Sequence, residues 1–241
     1  MLTSMIAATA IATCAATSPA HPVALVELYT SQGCSSCPPA DRWLSQLAAG
    51  ERVIPLSLHV GYWDYIGWKD PFARREFNAR QRQLATLNRN RTVYTPGVFV
   101  QGREVPNWSD PRAFDALLRD VAATAPRAKV AFTVTLDGRV LTVTPQAVTA
   151  VAGTDAQLFV ALAQTGFTTA VNAGENRGET LRNDHVVREW SGPLPLAGGN
   201  VRWTLPAGAA PERLTVIAFA AERDSGRPLQ ATSLPLAACL K

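Results

Sequence analysis

The feature that most constrains this chain is an apolar segment followed at once by two closely spaced cysteines. Residues 23–29 are mostly Val, Leu and Ala, which is typical of a strand buried within a sheet. Turn-forming residues then lead to Cys34 and Cys37, and apolar side chains at helical spacing follow over residues 43–47. The sequence therefore predicts a strand, a turn and a helix, with both cysteines at the N-terminus of the helix.

The spacing of the cysteines indicates a reactive pair. On a first helical turn, residues three apart lie on one side, so the two sulfur atoms come within bonding reach. Pro38 and Pro39 lack backbone N–H groups, a loss that the first turn of a helix tolerates. Free amides and the positive end of the helix dipole favour the Cys34 thiolate, and such thiols have pKa values of roughly 3.5–7.5. Because only a thiolate attacks a disulfide, the pattern favours redox chemistry.

The composition is that of a globular protein with a substantial core. The chain has 241 residues, of which 47% are apolar and 17% charged, enough for one large or two ordinary domains. The net charge of +4 indicates no particular partner. An arginine-rich stretch over residues 69–91 is not accompanied by a recognised nucleic-acid motif, so nucleic-acid binding is not expected. No apolar run approaches about 20 residues, so no integral membrane segment is expected.

Residues 1–20 differ from the rest of the chain. They carry no charged side chain, and their apolar core ends in Ala-Thr-Ser-Pro-Ala, small residues typical of a secretory cleavage site. We therefore predict a signal peptide over residues 1–20 and a periplasmic or secreted protein. No Lys or Arg stands near the start, which leaves a misassigned start or a disordered N-terminus as alternatives. On this prediction Cys14 is lost with the signal, and Cys239 remains as a free thiol.

The rest of the pattern divides into two regions. A second buried strand, a short strand after Pro96 and an amphipathic helix capped by Asp110 follow the cysteine segment. Beyond a short linker, strands and tight turns alternate with almost no helix signal, as in antiparallel sandwiches. The sequence predicts an α/β domain over residues 21–122 and a mainly antiparallel, sandwich-like β domain over residues 127–241.

Several stretches are specific enough to suggest a family. They surround the cysteines, the aromatic loop, the Thr-Pro dipeptide and two later polar segments, over residues 27–41, 59–71, 94–96, 174–181 and 185–188. Together they resemble the secreted family catalogued as domain of unknown function 1223, over roughly residues 23–236. The order strand, Cys-x-x-Cys, helix, strand and Thr-Pro also resembles thioredoxin-like proteins. The resemblance implies a thioredoxin-like fold for the first domain.

The resemblance also implies roles in catalysis. Cys34 would be the nucleophile and Cys37 the resolving thiol. Glu27 would lie beneath the pair and move protons during exchange. The thioredoxin spacing from this acid to the first cysteine is one residue shorter, so a structural role for Glu27 is the alternative.

Substrate-binding residues follow from the same resemblance. Pro96 would be a cis-proline beside the cysteines, where the backbone meets an incoming peptide. Thr95 and Tyr94 precede it, and Trp63 belongs to an aromatic loop that we expect to pack near the cysteines. We expect these residues to contact the substrate.

Three functions fit this sequence. The principal prediction is an exported thiol–disulfide oxidoreductase that acts on protein thiols, disulfides or a redox partner protein, without cofactor or metal. One alternative is a soft-metal module in which Cys34, Cys37 and His59 hold Cu(I). The other is a non-catalytic thioredoxin-like binding protein with a structural disulfide, whose binding surface would include Glu175, Asn176 and His185, although residues 174–183 also fit a polar loop between strands.

Overall fold

The structure, a computed structural model, describes residues 11–206 and 208–240. The described chain is mostly β-sheet, with several sheets and three α-helices. Strands β1 to β7 are Ala12–Thr17, Ala24–Thr30, Val53–His59, Gly97–Val100, Arg103–Glu104, Ala128–Asp137 and Val140–Thr149. Strands β8 to β14 are Ala156–Gln164, Phe167–Ala170, Thr180–Asn183, Val186–Leu194, Val201–Thr204, Leu214–Glu222 and Pro228–Pro235. Helices α1 to α3 are Pro38–Ser45, Arg75–Leu87 and Pro111–Ala122, and 3-10 turns form at Asp64–Ile66, Pro211–Arg213 and Leu236–Cys239. None of the helices in the described part of the chain has the length and apolar character of a membrane span.

An eight-stranded mixed sheet forms the centre of the molecule. Its strand order is β14-β13-β8-β11-β3-β2-β4-β5. Strands β2 and β3 run parallel and place Thr30 opposite His59 at their C-terminal ends. Strand β11 joins β3 in parallel, with Val186 opposite Ser57. Strands from both predicted domains therefore belong to one sheet.

The two faces of the central sheet bury different clusters. Successive side chains of a strand point to opposite faces, so β2 contributes alternate residues to each cluster. Ala24, Val26 and Leu28 pack with side chains of α1 and α3. Leu25 and Tyr29 pack with side chains of α2 on the other face. This alternation decides which polar side chains can reach the N-terminus of α1.

A second sheet, with the order β1-β6-β7-β12, packs against the β8, β13 and β14 end of the central sheet. Phe132 and Leu141 of this sheet share a core cluster with Leu158 and Val216 of the central sheet. Burying the inner faces of both sheets supplies the hydrophobic stabilisation of this half. Strands β9 and β10 form a separate antiparallel hairpin.

The N-terminal strand β1 is part of the fold. It pairs antiparallel with β6, and Cys14 is disulfide-bonded to Cys239, with the two Cα atoms 5.4 Å apart. The expectation that Cys239 is a free thiol is therefore wrong, while the expected loss of Cys14 with a cleaved signal stays a prediction. The turn Leu236–Cys239 brings the second sulfur to β1. Residues 1–10 of the predicted signal lie outside the described residues, so export stays a prediction, but cleavage after residue 20 would also remove β1.

Candidate functional site

The two remaining cysteines lie where the sequence predicts them, at the start of α1. Cys37 caps the helix and Cys34 precedes it, and the Cys37 N–H donates to the Cys34 carbonyl oxygen over 3.2 Å. Both are free thiols. Their side chains are buried, with 2% of Cys34 and none of Cys37 exposed, whereas Ser35 and Ser36 between them are exposed. A reactant can therefore reach either sulfur atom only by passing the side chains that cover the pair.

The surroundings of Cys34 favour its thiolate. A hydrogen bond from the Cys37 thiol is the main cause that lowers the Cys34 pKa to about 7, against the effect of burial. Thr95 and the amides of Ser36 and Cys37 lower it further. As a thiol, Cys34 donates to the Thr95 carbonyl oxygen, 3.7 Å from its Sγ. Cys34 is therefore the better nucleophile of the pair near neutral pH.

Cys37 has the opposite shift. Burial is the largest cause that raises its pKa, and the hydrogen bond and the charge of the Cys34 thiolate add to this increase. The Asp41 carboxylate adds to this effect. Cys37 is therefore a poor nucleophile until a base takes its proton.

The Thr-Pro segment lies beside the pair. The Thr95–Pro96 peptide bond is cis, and Trp63 Nε1 donates to Thr95 Oγ1 over 2.7 Å. Tyr94 is 47% exposed, and its hydroxyl donates to Glu104 over 2.6 Å. The structure thus brings Thr95, Pro96 and Trp63 to the cysteines, while the Tyr94 side chain is directed to Glu104.

Glu27 lies away from the cysteines and requires a correction. It is on the α2 face of β2, because alternation groups it with Leu25 and Tyr29 rather than with the residues under α1. Its carboxylate receives two hydrogen bonds from Arg80, of 2.6 and 2.8 Å, and one of 2.9 Å from the Tyr29 hydroxyl. This geometry supports the structural role of Glu27, not that of an acid beneath the pair.

The acid on the correct face is Asp41, which sequence reasoning missed as a site residue. It lies one helical turn after Cys37, is 6% exposed, and accepts a hydrogen bond of 3.2 Å from the Thr30 hydroxyl. Burial raises its pKa to about 6, with a partly compensating effect of His59. The available signal was its spacing, since an acid four residues after Cys37 shares its helix face.

A buried ion pair lies next to Asp41. His59 Nδ1 is 2.7 Å from Asp70 Oδ2, and Asp70 also accepts from the Gln32 N–H over 2.8 Å. Burial lowers the pKa of His59, but the charges of Asp70 and Asp41 outweigh it and raise the pKa overall. In the described ranges, no group of three or more His, Cys, Asp or Glu side chains is arranged to hold a metal ion. The Cu(I) alternative therefore gains no support from this geometry.

The later polar motif folds over the cysteine loop. Glu175 Oε2 accepts hydrogen bonds from the backbone N–H and the hydroxyl of Ser35, of 2.9 and 2.8 Å. Asn176 Nδ2 donates to the carbonyl oxygens of Gln32 and Cys34, over 2.9 and 3.0 Å. The two halves of the sequence therefore meet at the candidate site.

Gly174 allows this motif to pack closely against the aromatic loop. Its φ is +72°, a left-handed conformation that favours glycine, and an added Cβ would lie 3.1 Å from the Cβ of Trp68. His185, also proposed for a binding surface, lies at the start of β11 and accepts a backbone hydrogen bond from Ser57. It makes no side-chain hydrogen bond to the cysteine loop among the described residues.

One family model matches residues 25–220, a range that contains the cysteine loop, the Thr-Pro segment and the later motif. The chain belongs to this family, Protein of unknown function (DUF1223). No curated protein matches the sequence. The structure of this DUF1223 chain is similar to the X-ray crystal structure of protein AGR_C_4864 from Agrobacterium tumefaciens, with 27% identity and a TM-score of 0.61. The likeness covers 88% of this chain and 94% of that chain.

A second solved structure shares the fold. HBP35 of Porphyromonas gingivalis matches the DUF1223 chain with a TM-score of 0.63 at 14% identity. The match covers 91% of this chain and 76% of that chain. At this identity the likeness concerns the fold alone.

The geometry of the DUF1223 site is compatible with nucleophilic thiol chemistry. A thiol with a lowered pKa stands beside a second thiol with a raised pKa, and a buried carboxyl lies one helical turn further. This is an arrangement of nucleophile, second nucleophile and proton acceptor.

Proposed function

We propose that this DUF1223 protein is an exported thiol–disulfide oxidoreductase with a thioredoxin-like first region. The observation that carries the proposal is the opposite environment of two free thiols at one helix N-terminus, Cys34 beside Thr95 and Cys37 beside Asp41. The order of β2, α1, β3 and β4 over residues 21–122 supports the thioredoxin-like arrangement. The Cys14–Cys239 disulfide supports an oxidising compartment, because disulfides persist there, and it requires that any cleavage of a signal leaves β1 in place.

The reaction balances without a cofactor. The Cys34 thiolate attacks one sulfur of a substrate disulfide, the substrate S–S bond breaks, and one substrate thiolate leaves and takes up a proton. The Cys37 thiol then gives its proton to Asp41 and attacks the Cys34 sulfur of the mixed disulfide. The second substrate sulfur leaves as a thiolate and takes up the proton that Asp41 then releases, and the Cys34–Cys37 disulfide remains. One substrate disulfide is reduced to two thiols while one protein dithiol is oxidised, and the reverse sequence oxidises a substrate dithiol.

The surroundings of the Cys34 sulfur limit the class of substrate that can reach it. The sulfur is covered, but Ser35 and Ser36 beside it are exposed. We expect a substrate sulfur to approach Cys34 beside the exposed serines, next to Thr95 and Trp63. Protein thiols or disulfides in an extended, mobile segment, or a redox partner protein, fit this requirement best.

Turnover of a disulfide substrate tests the proposal. We expect the wild-type protein to reduce insulin with dithiothreitol, Cys34→Ser to be inactive, and Cys37→Ser to accumulate a mixed disulfide with the substrate. The exposed variant Ala123→Ser, at the residue after α3, introduces the same serine side chain away from the site and is expected to keep full activity. Wild-type turnover no faster than that of Cys34→Ser would contradict the proposal.

Burial of both sulfurs favours one other function, a binding protein with a fixed structural disulfide. An equilibrium redox titration of the pair separates the two. A reduction potential below roughly −300 mV is typical of structural disulfides and would favour the binding protein. A higher potential, in the range of redox-active proteins, is expected for the oxidoreductase.

A further inference from the structure

Two buried polar atoms near the site have no hydrogen-bond partner. They are Asp41 Oδ1 and His59 Nε2, on side chains that are 6% and 0% exposed. Buried polar atoms are nearly always paired, because an unpaired one has lost its hydrogen bonds to water without gaining others. These two atoms therefore indicate a hydrogen-bond partner that does not belong to the protein chain.

Both atoms lie on the same side of the central sheet. Thr30 is opposite His59 in the β2–β3 pair, and the Thr30 hydroxyl donates to the other oxygen of Asp41. Alternation places His59 and Ser57 on the face of β3 that α1 covers, together with Val53. Ser57 Oγ is a further buried atom without a partner. Asp41, His59 and Ser57 thus place their unpaired polar atoms between α1 and the face of the sheet that it covers.

The chemistry of the two side chains is complementary. Asp70 holds His59 Nδ1, so Nε2 is on the opposite edge of the ring. The Asp70 carboxylate beside Nδ1 raises the pKa of His59 and favours the protonated ring, in which Nε2–H is a donor, while Asp41 Oδ1 is an acceptor. A water molecule accepts from the first and donates to the second, and Ser57 can provide a third partner. Sites with two to four polar partners are those that hold buried water.

We propose that a water molecule binds between Asp41 Oδ1 and His59 Nε2, and that His59 is the positioning residue that keeps Asp41 ready to accept the proton of Cys37. This inference rests on the proposed thiol–disulfide exchange. In the step, the Cys37 proton passes to the Asp41 carboxylate, the Cys37–Cys34 bond forms, and the bond between Cys34 and the substrate sulfur breaks. The substrate thiolate leaves, and His59 keeps its proton throughout.

The direction in which His59 shifts the pKa of Asp41 follows from the charges of the two side chains. Asp41 is influenced by Cys37, His59, Asp70 and Arg42. The His59 cation lowers the pKa of Asp41 and so keeps a carboxylate available near neutral pH. Without this charge, Asp41 holds its proton to higher pH and cannot take one from Cys37.

Stopped-flow reaction of the reduced protein with an aromatic disulfide, 5,5′-dithiobis(2-nitrobenzoate), tests the inference. Attack by Cys34 releases the first chromophore and attack by Cys37 releases the second, so each step has its own pH profile. In His59→Gln we expect the pH midpoint of the second phase to rise by about one unit, with the first phase unchanged. His21→Gln, a histidine before β2 at the far end of the sheet, is the matched control and should alter neither phase.

The outcomes separate the two proposals. An unchanged midpoint of the second phase in His59→Gln overturns this inference and leaves the oxidoreductase intact. Absence of a second phase in the wild type contradicts thiol–disulfide exchange itself. If His59→Gln does not fold, the ring nitrogens of wild-type His59 are measured by NMR and the site by high-resolution crystallography. Two protonated nitrogens at pH 7 and a water between Asp41 and His59 support the proposal, and a neutral ring or a direct contact overturns it.

Discussion

The Cys34 and Cys37 thiols share one hydrogen bond with opposite consequences. When Cys37 donates to the Cys34 thiolate, the charged form of Cys34 is stabilised and the proton of Cys37 is held more firmly. The difference in pKa therefore belongs to the pair and not to either residue alone. A change at Cys37 must alter the reactivity of Cys34.

Substitution of Cys37 should therefore change the pH at which Cys34 reacts. In Cys37→Ala we expect the Cys34 pKa to rise from about 7 towards the ordinary value of a thiol, because the main stabilising hydrogen bond is lost. Cys37→Ser keeps a hydroxyl donor and should show a smaller rise. The rate of iodoacetamide alkylation against pH measures both values. Equal midpoints for wild type and Cys37→Ala would contradict this account of the pair.

The ionised form of Asp41, which is needed to accept a proton, should lower the free energy of unfolding of the protein. Its pKa is raised by burial to about 6, so the folded protein binds its proton more tightly than the unfolded chain. The stabilising contribution is complete below the pKa of an unfolded Asp and is lost as pH rises through about 6. Asp41→Asn removes this penalty, and we expect the free energy of unfolding at pH 8 to rise by about 2–3 kcal/mol.

Urea denaturation at pH 5 and pH 8 measures the effect of Asp41→Asn. The gain should be smaller at pH 5, where Asp41 is largely protonated, and resolution of the mixed disulfide by Cys37 should slow. The exposed Asp115→Asn on α3 provides the matched control and should change stability little. A loss of stability at pH 8 would show that the attraction to His59 outweighs the cost of burial.

Among the elements, those formed by local pattern were predictable. The helix capped by Asp110 is confirmed, since the Asp110 carboxylate accepts from the backbone N–H groups of Arg112 and Ala113 at the start of α3. The buried strand before the cysteines corresponds to β2. These elements follow from capping chemistry and from side-chain period, both of which are readable over a few residues.

The pairing of elements was not predictable in the same way. Val186 adjoins Ser57 across the middle of the sheet, and no local period specifies which distant strands become neighbours. The predicted place of Glu27 beneath the cysteines differs from the structure for a related reason. One residue of difference along β2 moves a side chain to the opposite face, so its spacing to Cys34 placed it with Arg80 and not with Asp41.

The loop at residues 174–178 connects two distant parts of the chain through Asn176. In Asn176→Ala, two backbone carbonyl oxygens of the cysteine loop lose their donor, and we expect the free energy of unfolding to fall by about 1–2 kcal/mol. Alkylation of Cys34 by a bulky maleimide should accelerate as the loop loosens. The exposed neighbour Arg177→Ala is the control and should change neither measurement. Unchanged alkylation in Asn176→Ala would mean that this loop does not limit access to Cys34.

At the scale of the whole molecule, the central sheet joins both halves of the sequence. The core on the α2 face contains Tyr29 and Phe77 from the first half, and it is completed by side chains of β8, β11 and β13. Arg80 lies over the rings of Phe159 and Phe219, 5.3 and 4.9 Å from their centroids. The first half therefore depends on the second for burial of its own core.

A fragment of residues 21–126 should consequently fail to form a stable fold. Its α2 face would expose apolar side chains that β8, β11 and β13 normally cover, and the buried ion pair of Glu27 with Arg80 would lose its surroundings. We expect poor dispersion of its amide NMR signals and no cooperative thermal transition, in contrast to the full chain. A cooperative transition in the fragment would show that the first half is an independent domain.

The disulfide between Cys14 and Cys239 ties the first strand to the last turn, 225 residues apart in sequence. Cross-linking so long a segment restricts the unfolded chain, and the chain-entropy relation gives a stabilisation of up to about 5 kcal/mol. We expect Cys14→Ser combined with Cys239→Ser to lower the free energy of unfolding by much of this amount, measured by urea denaturation. Cys34→Ser with Cys37→Ser changes the same number of sulfur atoms but breaks no covalent bond in the reduced protein, so it should cost far less. Equal losses in the two double variants would mean that packing of the sulfur atoms, and not the covalent link between the chain ends, stabilises the protein.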